Sequence, residues 1–272
     1  MNCFKNKKIG VVGCGNMGGA LIKALLSHRM VKSHRLYVYD TVRGKTLPYK
    51  KKYGARIVLS FEQLLRRTDI LLLAVKPQDI KDLVKGIPKS RFTATLIISI
   101  LAGTTISYLT KLLGNKAKIV RCMPNLGIVV GYGMTAVCKN RNVSLRDLSI
   151  AERIFSCCGM TVRIPEKYIN VVTALSGSGP AYYFFLTELL TAEGMSRGIK
   201  RTNAEALAQH TALGAARLMQ QSKASPKELR KRVTSPGGTT EAAFTVLGSA
   251  RYKRFFSSAI TKAIKRAEKL ST

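Results

Sequence analysis

Over its first 163 residues the chain alternates short apolar runs with stretches whose apolar residues recur every three or four positions. Ile9-Gly10-Val11-Val12 reads as a strand, and residues 17–26 read as a helix that starts directly after a glycine loop. Leu36-Tyr37-Val38-Tyr39 reads as a second strand, ending on Asp40. Further strands are predicted at 56–58, 70–74, 95–100 and 118–121, with helices at 43–53, 61–66, 78–85 and 106–113. Residues 133–138 and 160–163 add edge strands around a helix at 145–157. Continuously apolar strands must be covered on both faces, and their alternation with helices is the pattern of a doubly wound parallel sheet.

After Ile164-Pro165 the pattern turns helical, with segments at 166–174, 181–195, 203–221, 226–233, 240–247 and 252–270. The expected class is α/β, with a sheet domain over 1–163 and an all-helical domain over 164–272. Two helices stand out. Tyr182-Tyr183-Phe184-Phe185-Leu186 with Leu189 and Leu190 is apolar on nearly every face, and residues 204–219 are small or apolar almost continuously. Such helices must be buried all round, and a domain of roughly 110 residues offers few such places. An obligate homo-oligomer is therefore expected.

Composition narrows the class. Apolar residues make up 46% of the 272, which excludes wholesale disorder. The longest apolar runs are strand-sized, so no membrane span is expected. The N-terminus lacks the apolar core and cleavage site of a signal peptide, which points to the cytoplasm. Six cysteines, at 3, 14, 122, 138, 157 and 158, form no Cys-x-x-Cys pair and have no histidine at metal spacing. They read as reduced packing residues, with no metal site. The formal charge is +32, from 46 Lys+Arg against 14 Asp+Glu. The basic residues are scattered and no nucleic-acid motif accompanies them, so nucleic acid is not the expected partner. Steering of phosphorylated cofactors and carboxylate substrates is the simpler benefit.

Candidate chemistry begins with Gly13-Cys14-Gly15-Asn16-Met17-Gly18, which follows a strand, opens a helix and is succeeded by an acid at the end of the next strand. That context fits a Rossmann dinucleotide loop. Gly13 would allow the tight turn, Gly15 the approach of a pyrophosphate, and Gly18 the packing of helix on strand. Asp40 suits a ribose 2′-hydroxyl and thus NAD(H), whereas Arg43 and Lys45 could neutralise a 2′-phosphate. Ala74-Val75-Lys76-Pro77-Gln78 lies at a strand's carboxyl end, where open α/β sheets bind ligands. None of the three histidines, His28, His34 and His210, lies near a strand end, so a reaction needing little side-chain acid–base help fits best. Thr234-Ser235-Pro236-Gly237-Gly238-Thr239-Thr240 precedes an apolar helix and could form a carboxylate-binding nest or a plain N-capping turn.

These segments, together with Ser99-Ile100-Leu101-Ala102-Gly103, Arg121-Cys122-Met123-Pro124-Asn125 and the run Ala174-Leu175-Ser176-Gly177-Ser178-Gly179-Pro180-Ala181-Tyr182, resemble those of pyrroline-5-carboxylate reductases in order along the whole chain. The resemblance implies reduction of Δ1-pyrroline-5-carboxylate to L-proline by hydride from NAD(P)H. It implies that Ser235, Gly238, Thr239 and Thr240 hold the substrate carboxylate, with the Thr240 hydroxyl near the ring nitrogen. Ala74, Lys76, Pro77, Ala102, Gly103, Met123 and Asn125 would surround the nicotinamide, and Gly13, Gly15, Asn16, Met17, Gly18, Asp40 and Arg43 the rest of the cofactor. Thr240 and Lys76 are the expected catalytic residues. NADP(H) is favoured on the family's habit and Arg43, with NAD(H) kept open by Asp40. Homodimers with interlocked helical domains, assembling into a decamer of five dimers, are also implied. Leu126-Gly127 departs from the family's usual Thr-Pro and removes a hydroxyl and a rigid residue beside the nicotinamide. A nucleic-acid-associated or regulatory protein retaining the fold, a reductase of another cyclic imine and a β-hydroxyacid dehydrogenase are the competing readings.

Overall fold

The computed structural model describes residues 6–271, so Cys3 lies outside the described residues. Eight strands form one sheet in the order β3-β2-β1-β4-β5-β6-β7-β8. They are β1 (Ile9–Val12), β2 (Leu36–Tyr39), β3 (Arg56–Ile57), β4 (Ile70–Leu73), β5 (Leu96–Ser99), β6 (Lys118–Pro124), β7 (Gly133–Lys139) and β8 (Gly159–Arg163). The first six run parallel, β7 is antiparallel to β6, and β8 is again parallel to β7. The reversal follows from connection length: only residues 125–132 link β6 to β7, too few for the crossover that parallel neighbours need.

Strand residues alternate between two cores, and that is why the strands are apolar throughout. Val11, Leu72, Ile98 and Val120 meet Leu21, Ile22 and Leu25 of α1 (Asn16–Ser27), along with Ile154 and Phe155 of α6 (Leu145–Ser156). Leu71, Leu73, Ile97 and Ile119 meet Leu64 and Leu65 of α3 (Phe61–Arg67) and Leu109 and Leu113 of α5 (Ile106–Leu113). Hydroxyls of Ser60, Thr105 and Ser144 accept an amide hydrogen at the starts of α3, α5 and α6, as N-caps should.

Three predicted helices are shorter than their patterns. The 43–53 segment is a turn at Arg43–Lys45 followed by α2 (Leu47–Tyr53), because Pro48 fits only a helix's first turn. The 78–85 segment is a tight turn at Pro77–Asp79 followed by α4 (Ile80–Leu83). Residues 166–177 pass through a turn, then α7 (Ile169–Val172), then a π-helical turn at Thr173–Gly177.

The chain divides into two compact units, one running to Gly177 and resuming from Ile264, the other Ser178–Ala263. The second unit holds α8 (Gly179–Ser196), α9 (Arg201–Gln221), α10 (Pro226–Arg232), α11 (Thr239–Leu247) and most of α12 (Ala250–Leu270). α8 packs on α9, where Gly194 comes within contact of Ala204. In the single chain, Tyr183, Phe184, Phe185, Leu186, Leu189 and Leu190 of α8 are all half or more exposed. A run of large apolar residues left in water is the mark of a protein–protein interface.

Candidate active site

The strand order reverses between β1 and β4, and the loops leaving these strands carry the glycine motif and Ala74-Val75-Lys76. Gly13 turns the chain at φ +92°, and its amide donates to the Tyr39 carbonyl at 2.9 Å. A Cβ at Gly13 would collide with the Ala74 carbonyl, and one at Gly18 with the Gly13 carbonyl. Both glycines are thus required for the turn to pack between β4 and α1. Gly15 differs: the space beside its Cα is open. It stands at the start of α1 without a side-chain cap or an acidic residue in the first turn, leaving that turn's amides available to an anion. Asn16 is exposed, and Met17 packs partly against the core.

Asp40 anchors this loop. Its carboxylate accepts from the Cys14 amide at 2.8 Å and the Val42 amide at 2.9 Å, tying the end of β2 to the glycine turn. Cys14 itself is a packing residue, its thiol pushed up to about 12, chiefly by burial and further by Asp40. Gly13, Gly15, Asp40, Lys45, Ala74 and Lys76 line one cleft of about 760 Å³. Arg43 opens the exposed turn beyond Asp40 without lining that cleft, whereas Lys45, two positions on, does line it. The cradle of required glycines and the open flank at Gly15 fit a dinucleotide, in a cleft whose lining carries three lysines, Lys45, Lys76 and Lys85, and four acids, Asp40, Glu62, Asp79 and Asp82.

Lys76 is exposed and extended, and Pro77 opens the next turn. After β5, Ala102 is exposed, and Gly103, at φ +73°, has the Leu270 backbone against its Cα. Leu270 thereby provides a structural reason for glycine at this position. At the end of β6, Met123 lies against Gly177, where an added Cβ would meet its Cε at 2.7 Å. Asn125 Oδ1 accepts from the Gly127 and Met134 amides at 3.2 and 3.1 Å, while Nδ2 donates to Ser176 Oγ at 3.3 Å. Gly127 is also constrained: a Cβ there would meet the Tyr132 carbonyl oxygen at 2.6 Å. The Leu126-Gly127 departure therefore sits in a tightly bonded turn.

In the second unit, Ser235 to Gly238 form a turn that leads directly into Thr239 and Thr240 of α11 (Thr239–Leu247). The Ser235 carbonyl accepts from the Gly238 amide at 3.0 Å, and Gly237 adopts φ +69°. Gly238 stands within 2.5 Å of Ser235 Oγ at its Cβ direction, so a larger residue would displace the serine. α11 starts at Thr239 with no side-chain cap, and helix geometry leaves the amides of Thr239, Thr240 and Glu241 without intrahelical acceptors. The Glu241 carboxylate accepts from the Gly237 amide at 2.8 Å. The Gly237 and Gly238 amides are thus satisfied within the segment, and those of Thr239, Thr240 and Glu241 remain available.

Two features were not legible as functional positions. Ser176 lies within a quoted motif, but only folding shows it bonded to Asn125. Arg121, 4% exposed, pairs with Glu166 at 2.8 Å, and the same Glu166 oxygen accepts from the Ile106 amide. A charged residue inside an apolar strand was the available signal.

Residues 166–270 match a family model described as pyrroline-5-carboxylate reductase dimerisation, and residues 8–103 match one described as NADP oxidoreductase coenzyme F420-dependent. The pyrroline-5-carboxylate reductase of Methanosarcina acetivorans is 33% identical over 98% of this chain and 99% of its own. That of Escherichia coli is 34% identical over 97% and 98%. Among solved structures, a pyrroline-5-carboxylate reductase from Coxiella burnetii superposes with TM-score 0.92 at 35% identity, covering 98% of this chain and 100% of the other. The Plasmodium falciparum pyrroline carboxylate reductase with NADP bound gives 0.86 at 30% identity, covering 98% and 99%.

Proposed function

The chain belongs to the pyrroline-5-carboxylate reductase family, and on that premise we propose how its residues divide the work of reducing Δ1-pyrroline-5-carboxylate to L-proline, the final step of proline biosynthesis. It is an NAD(P)H-dependent oxidoreductase acting on a C=N bond, and NADP(H) is its cofactor. Bound NADPH supplies the hydride. Gly13, Gly15, Asn16, Met17 and Gly18 hold the pyrophosphate, with Asp40 and Arg43 beside the adenosine ribose. Ala74, Lys76, Pro77, Ala102, Gly103, Met123 and Asn125 form the nicotinamide surround, where Asn125 acts by fixing the turn that follows β6. We divide the chain functionally into 1–163 for the dinucleotide and 164–272 for dimerisation and substrate, a division that falls between the two family matches.

Ser235, Gly238, Thr239 and Thr240 hold the substrate carboxylate, with the Thr239 and Thr240 amides donating to it and the Gly238 amide, which bonds the Ser235 carbonyl, closing the turn around it. The observation that carries this reading is the Ser235–Gly238 turn, whose following helix leaves three amides unpartnered. The Thr240 hydroxyl orients the ring nitrogen, and Lys76 adds positive charge at the cofactor's edge. A protonated imine is already electrophilic, so alignment supplies most of the acceleration. Thr240→Ala should lower kcat/KM by about 10- to 100-fold, the worth of one hydrogen bond to a charged group, and Thr240→Ser should restore most of it. Wild-type turnover and substrate affinity in Thr240→Ala would end this assignment.

The protein is a homo-oligomer built on its dimerisation segment. We extend this to a decamer of five dimers, for which the exposed apolar length of α8 gives support only at the dimer level. No helix among the described residues is long and apolar enough to cross a membrane. Five free cysteines suit a reducing compartment, and we place the protein in the cytoplasm.

A further inference from the structure

α6 ends at Ser156, and the chain passes through Cys157 and Cys158 before β8 begins. The two sulfurs lie 3.7 Å apart. Cys158 is buried in the core beside Phe155, while Cys157 is half-buried and lines a cleft of about 930 Å³ shared with Gly15, Asn16, Lys45 and Tyr49. The pair therefore has one sulfur at an entrance and one behind it. Cys157 Sγ also lies 3.0 Å from the Ile154 carbonyl, and this orients its thiol along the helix end. The contact between the two thiols lowers the Cys157 pKa from its ordinary value and raises that of Cys158, and Cys157 is also the more exposed of the two. Cys157 is accordingly the sulfur that reacts first.

Three chemical outcomes are available to such a pair. Direct disulfide closure is disfavoured, because adjacent Cα atoms sit about 3.8 Å apart across a trans peptide, below the roughly 4.4 Å minimum that disulfides span. A protein-bound metal ion needs more ligands, and no group of three or more His, Cys, Asp or Glu suited to a metal occurs among the described residues. A soft centre satisfied by two sulfurs, with its third valence already occupied, meets both constraints.

We propose that Cys157 and Cys158 form a chelating dithiol site for a monosubstituted trivalent arsenical or a metalloid of like softness, with the organic substituent lodged in the cleft. For an organoarsenic oxide, R–As=O, two As–S bonds form as the As=O bond breaks. The two thiol protons leave with the oxygen as water, and no oxidation state changes. Nothing in the reductase reaction uses these sulfurs.

The test is titration of the full-length protein with phenylarsine oxide. Wild type should lose two titratable thiols per arsenical bound. Cys157→Ala and Cys158→Ala should each bind at least about 100-fold more weakly, the range that a tethered second site confers. Because Cys158 is buried and its replacement could disturb folding, a second measurement is made on wild type alone. Dithiothreitol should release the arsenical, and an equal thiol concentration of mercaptoethanol should not. Loss of one thiol per arsenical, release by mercaptoethanol, or either folded variant binding within threefold of wild type would overturn the proposal.

Discussion

Asn125 offers the sharpest test of how the nicotinamide side of the site is built. Its side-chain Oδ1 holds two part-buried amides, those of Gly127 and Met134, and its Nδ2 makes a longer bond to Ser176. Asn125→Ala leaves both amides without their acceptor. At about 1 kcal/mol for each part-buried donor, and somewhat less for the Ser176 contact, the loss sums to about 2–3 kcal/mol. If the turn must be formed to receive the nicotinamide, that energy is felt in the transition state, and kcat/KM falls about 30- to 100-fold at 1.4 kcal/mol per tenfold. The intermediate variants locate the effect. Ser176→Ala removes only the weakest bond and should cost about threefold. Asn125→Asp keeps an acceptor for both amides and should fall between the other two. Absorbance of reduced nicotinamide gives the rates, and urea unfolding separates lost folding from lost positioning. Asn125→Ala with kcat/KM within threefold of wild type would refute the argument, as would Ser176→Ala proving equally damaging.

Three further outcomes are expected. Asp40→Ala frees the Cys14 and Val42 amides and removes a negative charge from the cleft, so the kcat/KM ratio of NADPH to NADH should rise roughly tenfold; an unchanged ratio would show that Asp40 serves only to fasten the loop. Replacing Phe184 and Phe185, 62% and 57% exposed in the single chain, by Glu should dissociate the oligomer in sedimentation velocity, and an unchanged mass would remove α8 from the interface. Glu228 closes the capping box that starts α10, and the Ser225 amide holds its carboxyl below the ordinary carboxylate range. A lowered folded-state pKa stabilises above the unfolded value and is lost as pH falls through the lowered one. Glu228→Gln should therefore melt below wild type at neutral pH and converge with it in acid; a constant gap would exclude linkage.

Much of this architecture could be read from periodicity because strands and helices each bury a defined face. β1, β2 and α5 occupy the predicted spans, since nothing near them competes with their apolar pattern. The shortened helix at 43–53 marks where proline chemistry overrode periodicity, at Pro48. The antiparallel β7 had no signature of its own, because its direction follows from the length of the preceding turn. The apolar all-round helices were informative for the opposite reason: their burial requirement cannot be met within one chain, and the exposure of Tyr183, Phe184 and Phe185 is what remains when it is not. Bonds from one side chain to a distant segment, such as Asn125 to Ser176 and Arg121 to Glu166, leave no periodic trace.

The arrangement also explains why so few ionisable side chains were conspicuous in the sequence. His28 lines the cleft behind the glycine turn, His34 sits in a short turn before β2, and His210 lies on α9; none follows a sheet strand into the nucleotide cleft. What the strand ends and the Ser235–Thr240 segment do present is backbone amide hydrogen, exposed because the flanking residues are glycine or small. Such donors do not titrate and are held by the fold itself, so they suit a reaction whose electrophile arrives already protonated. α1 and α11 share one feature: each begins after a glycine with no side-chain cap, which leaves first-turn amides available to a negative charge.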